Sequence, residues 1–89
     1  MDSYQNFPPI NIFKKVLQSI PQSALVHAGI WGLRDKLNKI NLKRKDVNKL
    51  FYISPTLFEN HLLSLARLGF LEFEKTKDAF KINLLSIDD

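Results

Sequence analysis

The sequence predicts a small α+β domain, mostly helical, and three observations carry that expectation. Apolar residues recur at helical spacing from Ile10 to Leu65. The spacing then drops to two: in "LEFEKTKDAFKINLL", Leu71, Phe73, Phe80, Ile82 and Leu84 alternate with Glu72, Glu74, Lys81 and Asn83. Between the two regimes, "ISP" at 53–55 and "LGFL" at 68–71 are start and stop signals for a helix. The chain of 89 residues, 45% hydrophobic and 11% aromatic, is enough for one domain with one core.

The elements follow in order. Residues 1–9 read as an irregular arm, with Pro8 and Pro9 suited to opening a helix. Ile10, Ile12, Phe13, Val16, Leu17 and Ile20 form the apolar stripe of a helix over 10–20, with Lys14, Lys15 and Gln18 on its other side. Residues 21–39 read as the longest helix, apolar nearly all round in its first half and therefore covered on more than one side. Gly29 and Gly32 there allow close packing against the first helix or a second subunit. A short helix is expected over Leu42–Tyr52, with Asn41 as its cap and Val47, Leu50 and Phe51 facing inward. Ser54-Pro55 opens the next helix, because Ser caps well and Pro fits the first helical position. Gly69 ends it. A half-buried hairpin with "TKD" at its tip follows, and residues 86–89 read as a loose acidic tail. The whole is a single domain over 1–89.

Composition narrows the function classes. The chain has no cysteine, which removes disulfides, thiolate catalysis and Cys-based zinc sites. His27 lies in an apolar helix and His61 on the flank of the helix opened by Ser54. With two histidines and no paired carboxylates beside them, no metal site or cofactor is expected. No Gly-rich phosphate loop, nucleophile elbow or Ser-His-Asp set is present, so no enzyme is expected. The start, "MDSYQNFPPI", lacks a basic segment followed by an apolar one, and no apolar run is long enough to span a bilayer. A cytoplasmic protein without a membrane partner is the expectation.

The net charge is +4, and its placement matters more than its size. Residues 34–49 hold Arg34, Lys36, Lys39, Lys43, Arg44, Lys45 and Lys49 against Asp35 and Asp46, a local charge of +5. Such a cluster attracts polyanions; the bland alternative is a solvated helix face.

The string "DVNKLFYISPTLFENHLLSLARLGFLEFE" lies within an order of helix, helix, turn, helix and two-stranded hairpin. This order resembles the winged helix-turn-helix superfamily over residues 21–85. The parts that carry the resemblance are Ile53-Ser54-Pro55, opening the recognition helix, and Leu62, Leu65, Gly69 and Leu71, leading into the first wing strand. The pattern is similar to MarR- or ArsR-type regulators and to the winged helices of replication initiators. The resemblance implies double-stranded DNA as partner and a role as a transcriptional regulator or a replication or partition factor. A homodimer built on residues 10–39 would match a palindromic site.

Residue chemistry assigns roles within that reading. At 100° per residue, Phe58, Leu62 and Leu65 fall within about 60° of one another and face inward. Thr56, Asn60, Ser64 and Arg67 fall on the other side. Asn pairs bidentately with adenine and Ser or Thr bonds either groove edge, so Thr56, Asn60 and Ser64 are the candidate base readers. Lys43, Arg44, Lys45 and Lys49, with Lys75, Lys77 and Lys81 of the wing, are candidates for phosphate. Arg67 suits a phosphate or an ion pair. The helix carries the acidic Glu59 and no Lys or Arg before Arg67. Leu57 and Leu63 border its polar face. They, Trp31 and the apolar surface of residues 24–33 motivate a second reading, a protein–protein interaction module.

Overall fold

A computed structural model describes residues 7–85. Four α-helices and three strands follow in the order α1 (Ile10–Ser19), α2 (Ala24–Leu33), β1 (Lys39–Lys43), α3 (Val47–Phe51), α4 (Pro55–Arg67), β2 (Leu71–Lys75) and β3 (Ala79–Leu84). Short 3-10 turns precede α2 and α3. The α+β, mostly helical class expected from the sequence holds. The expected arm lies partly, and the tail wholly, outside the described residues.

α1 buries Ile12 and Val16, as its stripe requires. It stops at Ile20, which is extended (φ −143°, ψ 72°) because Pro21 follows and disfavours helical geometry in the residue before it. Pro21 then starts a 3-10 turn that leads into α2.

Residues 21–39 do not form one long helix. α2 ends at Leu33, and the cause is side-chain competition for the backbone. Asp35 Oδ1 accepts the Leu37 and Lys39 amides at 2.8 and 3.0 Å. These bonds hold a local turn in place of helix. Arg34 Nη1 donates to the Trp31 carbonyl at 2.8 Å and its guanidinium lies 4.7 Å from the Trp31 ring centre, covering the helix end. Asn38, at φ 62°, completes the reversal.

The expected helix over Leu42–Tyr52, with its Asn41 cap, is also corrected. Its first residues belong to β1, where Ile40 and Leu42 are buried and Lys39, Asn41 and Lys43 exposed. Only Val47–Phe51 is α-helical. Val47 is buried and Phe51 half-buried, but Leu50, expected inside, faces solvent. A left-handed Tyr52 (φ 61°) ends α3. The longest helix is therefore α4, with 13 residues against 10 for α2.

α4 begins and ends as its sequence signals. Ser54 Oγ accepts the Leu57 amide at 3.1 Å and Pro55 takes the first helical position. At the other end the Phe70 amide reaches the Leu65 carbonyl and the Gly69 amide the Ala66 carbonyl, both at 3.0 Å. This closure requires a left-handed residue, supplied by Gly69 at φ +86°.

The sheet has three antiparallel strands in the order β1-β3-β2, where the sequence suggested a two-stranded hairpin. Ile40 pairs with Ile82 and Leu42 with Phe80; Phe73 pairs with Ile82 from the other side. This face packs on α4, whose Phe58, Leu62 and Leu65 are fully buried. Phe58 joins the layers, with ring centres 4.8 Å from Phe51 and 5.4 Å from Phe80. Each such fully buried side chain contributes roughly 1.5–3 kcal/mol.

Candidate nucleic-acid interface

The pairing of β1 with β3 has a consequence for charge. Lys43 stands opposite Ala79, and the Arg44 amide donates to the Asp78 carbonyl at 2.7 Å, extending the ladder one step. The basic string 43–45 is thereby fixed beside the hairpin tip, which carries Lys77. A surface groove results, lined by Lys43, Arg44, Lys45 and Lys77 with Asp78 and Pro55. Four cations and one carboxylate surround it. Pro55 places the N-terminal, partially positive end of α4 at its wall. The Arg44 guanidinium, 5.7 Å from the Phe80 ring centre, rests on the core, whereas Lys43, Lys45 and Lys77 are exposed.

The hairpin tip is held rigidly enough to present Lys77. The Thr76 amide donates to the Ala79 carbonyl at 2.9 Å, and the Ala79 amide donates to Thr76 Oγ1 at 3.0 Å. These bonds close the four-residue turn without a glycine.

On α4, Thr56, Asn60 and Arg67 are exposed and Ser64 is half-buried. Neither Thr56 nor Asn60 has a side-chain hydrogen bond among the described residues, so both are available to a ligand. Leu57 and Leu63 are each 45% exposed on the same helix. Arg67 stands at the far end, roughly 18 Å along the axis from Pro55 at 1.5 Å per residue.

The remaining sequence candidates divide. Lys75 forms an ion pair with Glu59 of α4, Nζ to Oε1 3.3 Å, so this β2 lysine is partly neutralised by the helix beside it. Lys81 stands opposite Glu74 on the outer face of the sheet, away from the groove lining. Lys49 is exposed on α3 but does not line the groove. Trp31, read as an interface candidate, is only 4% exposed and belongs to the core. Its indole Nε1–H donates to His27 Nε2 at 3.2 Å.

That bond assigns the proton of neutral His27 to Nδ1, which has no partner among the described residues. Phe70 meets the imidazole edge-on, 5.8 Å between centres. Burial lowers the His27 pKa to about 4, so the ring is neutral near pH 7. His61 Nδ1 and Ser23 Oγ lie 2.7 Å apart, tying α4 to the turn before α2. Asp35 has its pKa lowered by the hydrogen bond from the Lys39 amide and then that from Leu37. Among the described residues no three His, Asp or Glu side chains gather as a metal site, and no helix is long and apolar enough to cross a membrane.

Sequence reasoning found the lysines but not their gathering, because it missed β1. The alternation of Ile40 and Leu42 with Lys39, Asn41 and Lys43 was the signal for it. Comparison with protein families, curated proteins and solved structures gave no match.

Proposed function

We propose that this chain is a winged helix-turn-helix protein that binds double-stranded DNA. The observation that carries this reading is the groove in which Lys43, Arg44 and Lys45 meet Lys77 at the N-terminal end of α4. In this reading α3 and α4 are the helix-turn-helix and the β2–β3 hairpin is the wing. The third strand supports it physically, since β1 anchors the wing to the chain entering α3.

α4 lies in the major groove, about 12 Å wide. The basic groove sits over phosphates at its N-terminal end and Arg67 over phosphates at the other. Thr56 and Asn60 face the base edges, with Ser64 on the flank. Neutralising about five phosphates, four at the groove and one at Arg67, gives a log–log salt slope near −4.5, or roughly a five-hundredfold loss of affinity between 50 and 200 mM salt. No chemistry is required; affinity and base choice are the function, as in a transcriptional regulator or a replication or partition factor.

Exposed Leu57 and Leu63 favour a second reading, a winged-helix module that binds another protein. One pair of variants separates the two. Under the DNA reading, Lys43→Glu with Lys45→Glu abolishes duplex binding while Leu63→Asp changes it little. The reverse ranking, measured as binding to a random duplex pool, rejects the DNA reading.

A further inference from the structure

β1 is an edge strand, paired with β3 on one side only. Its ladder bonds come from the even positions: the Leu84 amide donates to the Asn38 carbonyl at 2.8 Å and the Arg44 amide to the Asp78 carbonyl at 2.7 Å. Backbone groups alternate sides along a strand, so those of Lys39, Asn41 and Lys43 point away from β3. Asp35 fills the first of these positions. Its amide donates to the Lys39 carbonyl at 2.9 Å, and its Oδ1 accepts the Lys39 amide at 3.0 Å. The Asn41 amide and carbonyl and the Lys43 amide have no hydrogen-bond partner among the described residues. A groove runs beside them, walled by Leu33 of α2 and Leu50 of α3. These leucines are 44% and 50% exposed, and nothing in the monomer explains their exposure.

We propose that the free edge of β1 takes up an extended segment of another protein as a further antiparallel strand, one whose acidic residues alternate with apolar ones. Open amides and carbonyls along a sheet edge select an extended backbone over a helix or a nucleic acid. The alternation of side chains then sets the sequence. On the outer face of the sheet the incoming residues stand against Lys39, Asn41 and Lys43, a strand with two cations and no acid, so acidic residues fit there. On the inner face they meet Leu33 and Leu50, so apolar residues fit there. The acids near the groove do not reverse this. The Asp35 carboxylate is held by the Leu37 and Lys39 amides, and Asp46 lies past the end of β1, in the turn before α3. Charge also rejects a second copy: an antiparallel pair of β1 strands centred on Asn41 sets Lys39 of each chain against Lys43 of the other. The same pattern already pairs within this sheet, where Glu72, Phe73 and Glu74 of β2 stand opposite Asn83, Ile82 and Lys81.

The test is fluorescence anisotropy of a labelled, end-capped peptide, Glu-Val-Glu-Leu-Glu-Val-Glu, titrated with the full chain at fixed salt. A block peptide of the same composition, Glu-Glu-Glu-Glu-Val-Leu-Val, is the control. Saturable binding is expected, about tenfold tighter for the alternating peptide. Asn41→Pro removes an outward-facing amide and leaves the β3 ladder intact, a position where a sheet tolerates proline. It should weaken binding about tenfold with an unchanged circular dichroism spectrum. Leu50→Glu should also weaken binding, from the apolar wall, and Leu57→Glu, on α4, should bind like the wild type. A wild type that shows no saturable binding overturns the proposal. So does a block peptide bound equally well, the mark of simple attraction to lysines, or binding that survives both Asn41→Pro and Leu50→Glu.

Discussion

Two surfaces of this domain are built on opposite principles. The groove at the end of β1 gathers Lys43, Arg44, Lys45 and Lys77 around one carboxylate, Asp78. The groove between α2 and α3 is lined by Leu25, Val26, Gly29, Leu33, Leu50 and Phe51 and carries no charge. The first has charge that a polyanion would complement over long range, with strong salt dependence. The second offers only apolar area, whose effect is short-ranged and nearly independent of salt. The contrast teaches that a weakly basic average charge says little. The same +4 is compatible with one surface for a polyanion and another that would be indifferent to one.

The largest expected effect strikes both surfaces at once. Phe58 touches Phe51, beneath the apolar groove, and Phe80, beneath Arg44. Phe58→Ala should cost about 3–5 kcal/mol in urea denaturation, a large share of the stability of a small domain. If the cost is below about 1 kcal/mol, the two surfaces do not share a core.

The next effect separates the inner side of α2 from its outer side. His27 titrates near 6.5 when unfolded and near 4 when folded. Its contribution is fully present above pH 6.5. As pH falls towards 4 the unfolded chain takes up a proton that the native state refuses, so stability declines. The loss runs to about 1.4 kcal/mol per pH unit, on the order of 3 kcal/mol in all, and is flat below the folded pKa. His27→Gln, which can still accept the Trp31 N–H, should flatten this part of the profile. An unchanged slope would mean that other groups carry it. Leu25→Glu, on the outer side, should leave stability within about 0.5 kcal/mol at every pH.

Smaller effects sharpen the basic surface. Ser54→Ala removes the cap of α4 and should lower stability by about 1 kcal/mol, read as a shift in thermal midpoint. Glu59→Gln frees Lys75. It should change stability by less than about 1 kcal/mol, since the pair is partly exposed, while strengthening duplex binding at low salt. Equal or weaker binding would mean that Lys75 does not reach phosphate.

How much of this was legible in the sequence depends on the strength of each local signal. α4 was readable from end to end because Ser54-Pro55, the Phe58-Leu62-Leu65 stripe and Gly69 all point the same way. α1 and the β2–β3 hairpin were readable from clean periodicity. β1 was not, because five residues with two apolar positions embedded in a lysine-rich run look like the start of an amphipathic helix. The end of α2 was hidden for a related reason: Asp35 is an ordinary helix-surface residue until its carboxylate is seen to bond two amides ahead of it. Missing β1 also hid the site. Lys43–Lys45 and Lys77 are more than thirty positions apart, and only the β1–β3 register brings them together. Leu50 was misplaced for the opposite reason, since helical spacing gives a face but not which neighbour covers it.

The most direct test of the central claim is the salt slope of duplex binding for the wild type and for the Lys45→Ala, Lys77→Ala double variant. Both lysines are exposed, so the fold should survive their loss. If the groove holds the DNA backbone, the wild type binds with a slope near −4.5 and the double variant loses about two units of it. A wild type that fails to bind at low salt, or a slope the double variant leaves unchanged, would contradict the assignment of this groove to DNA.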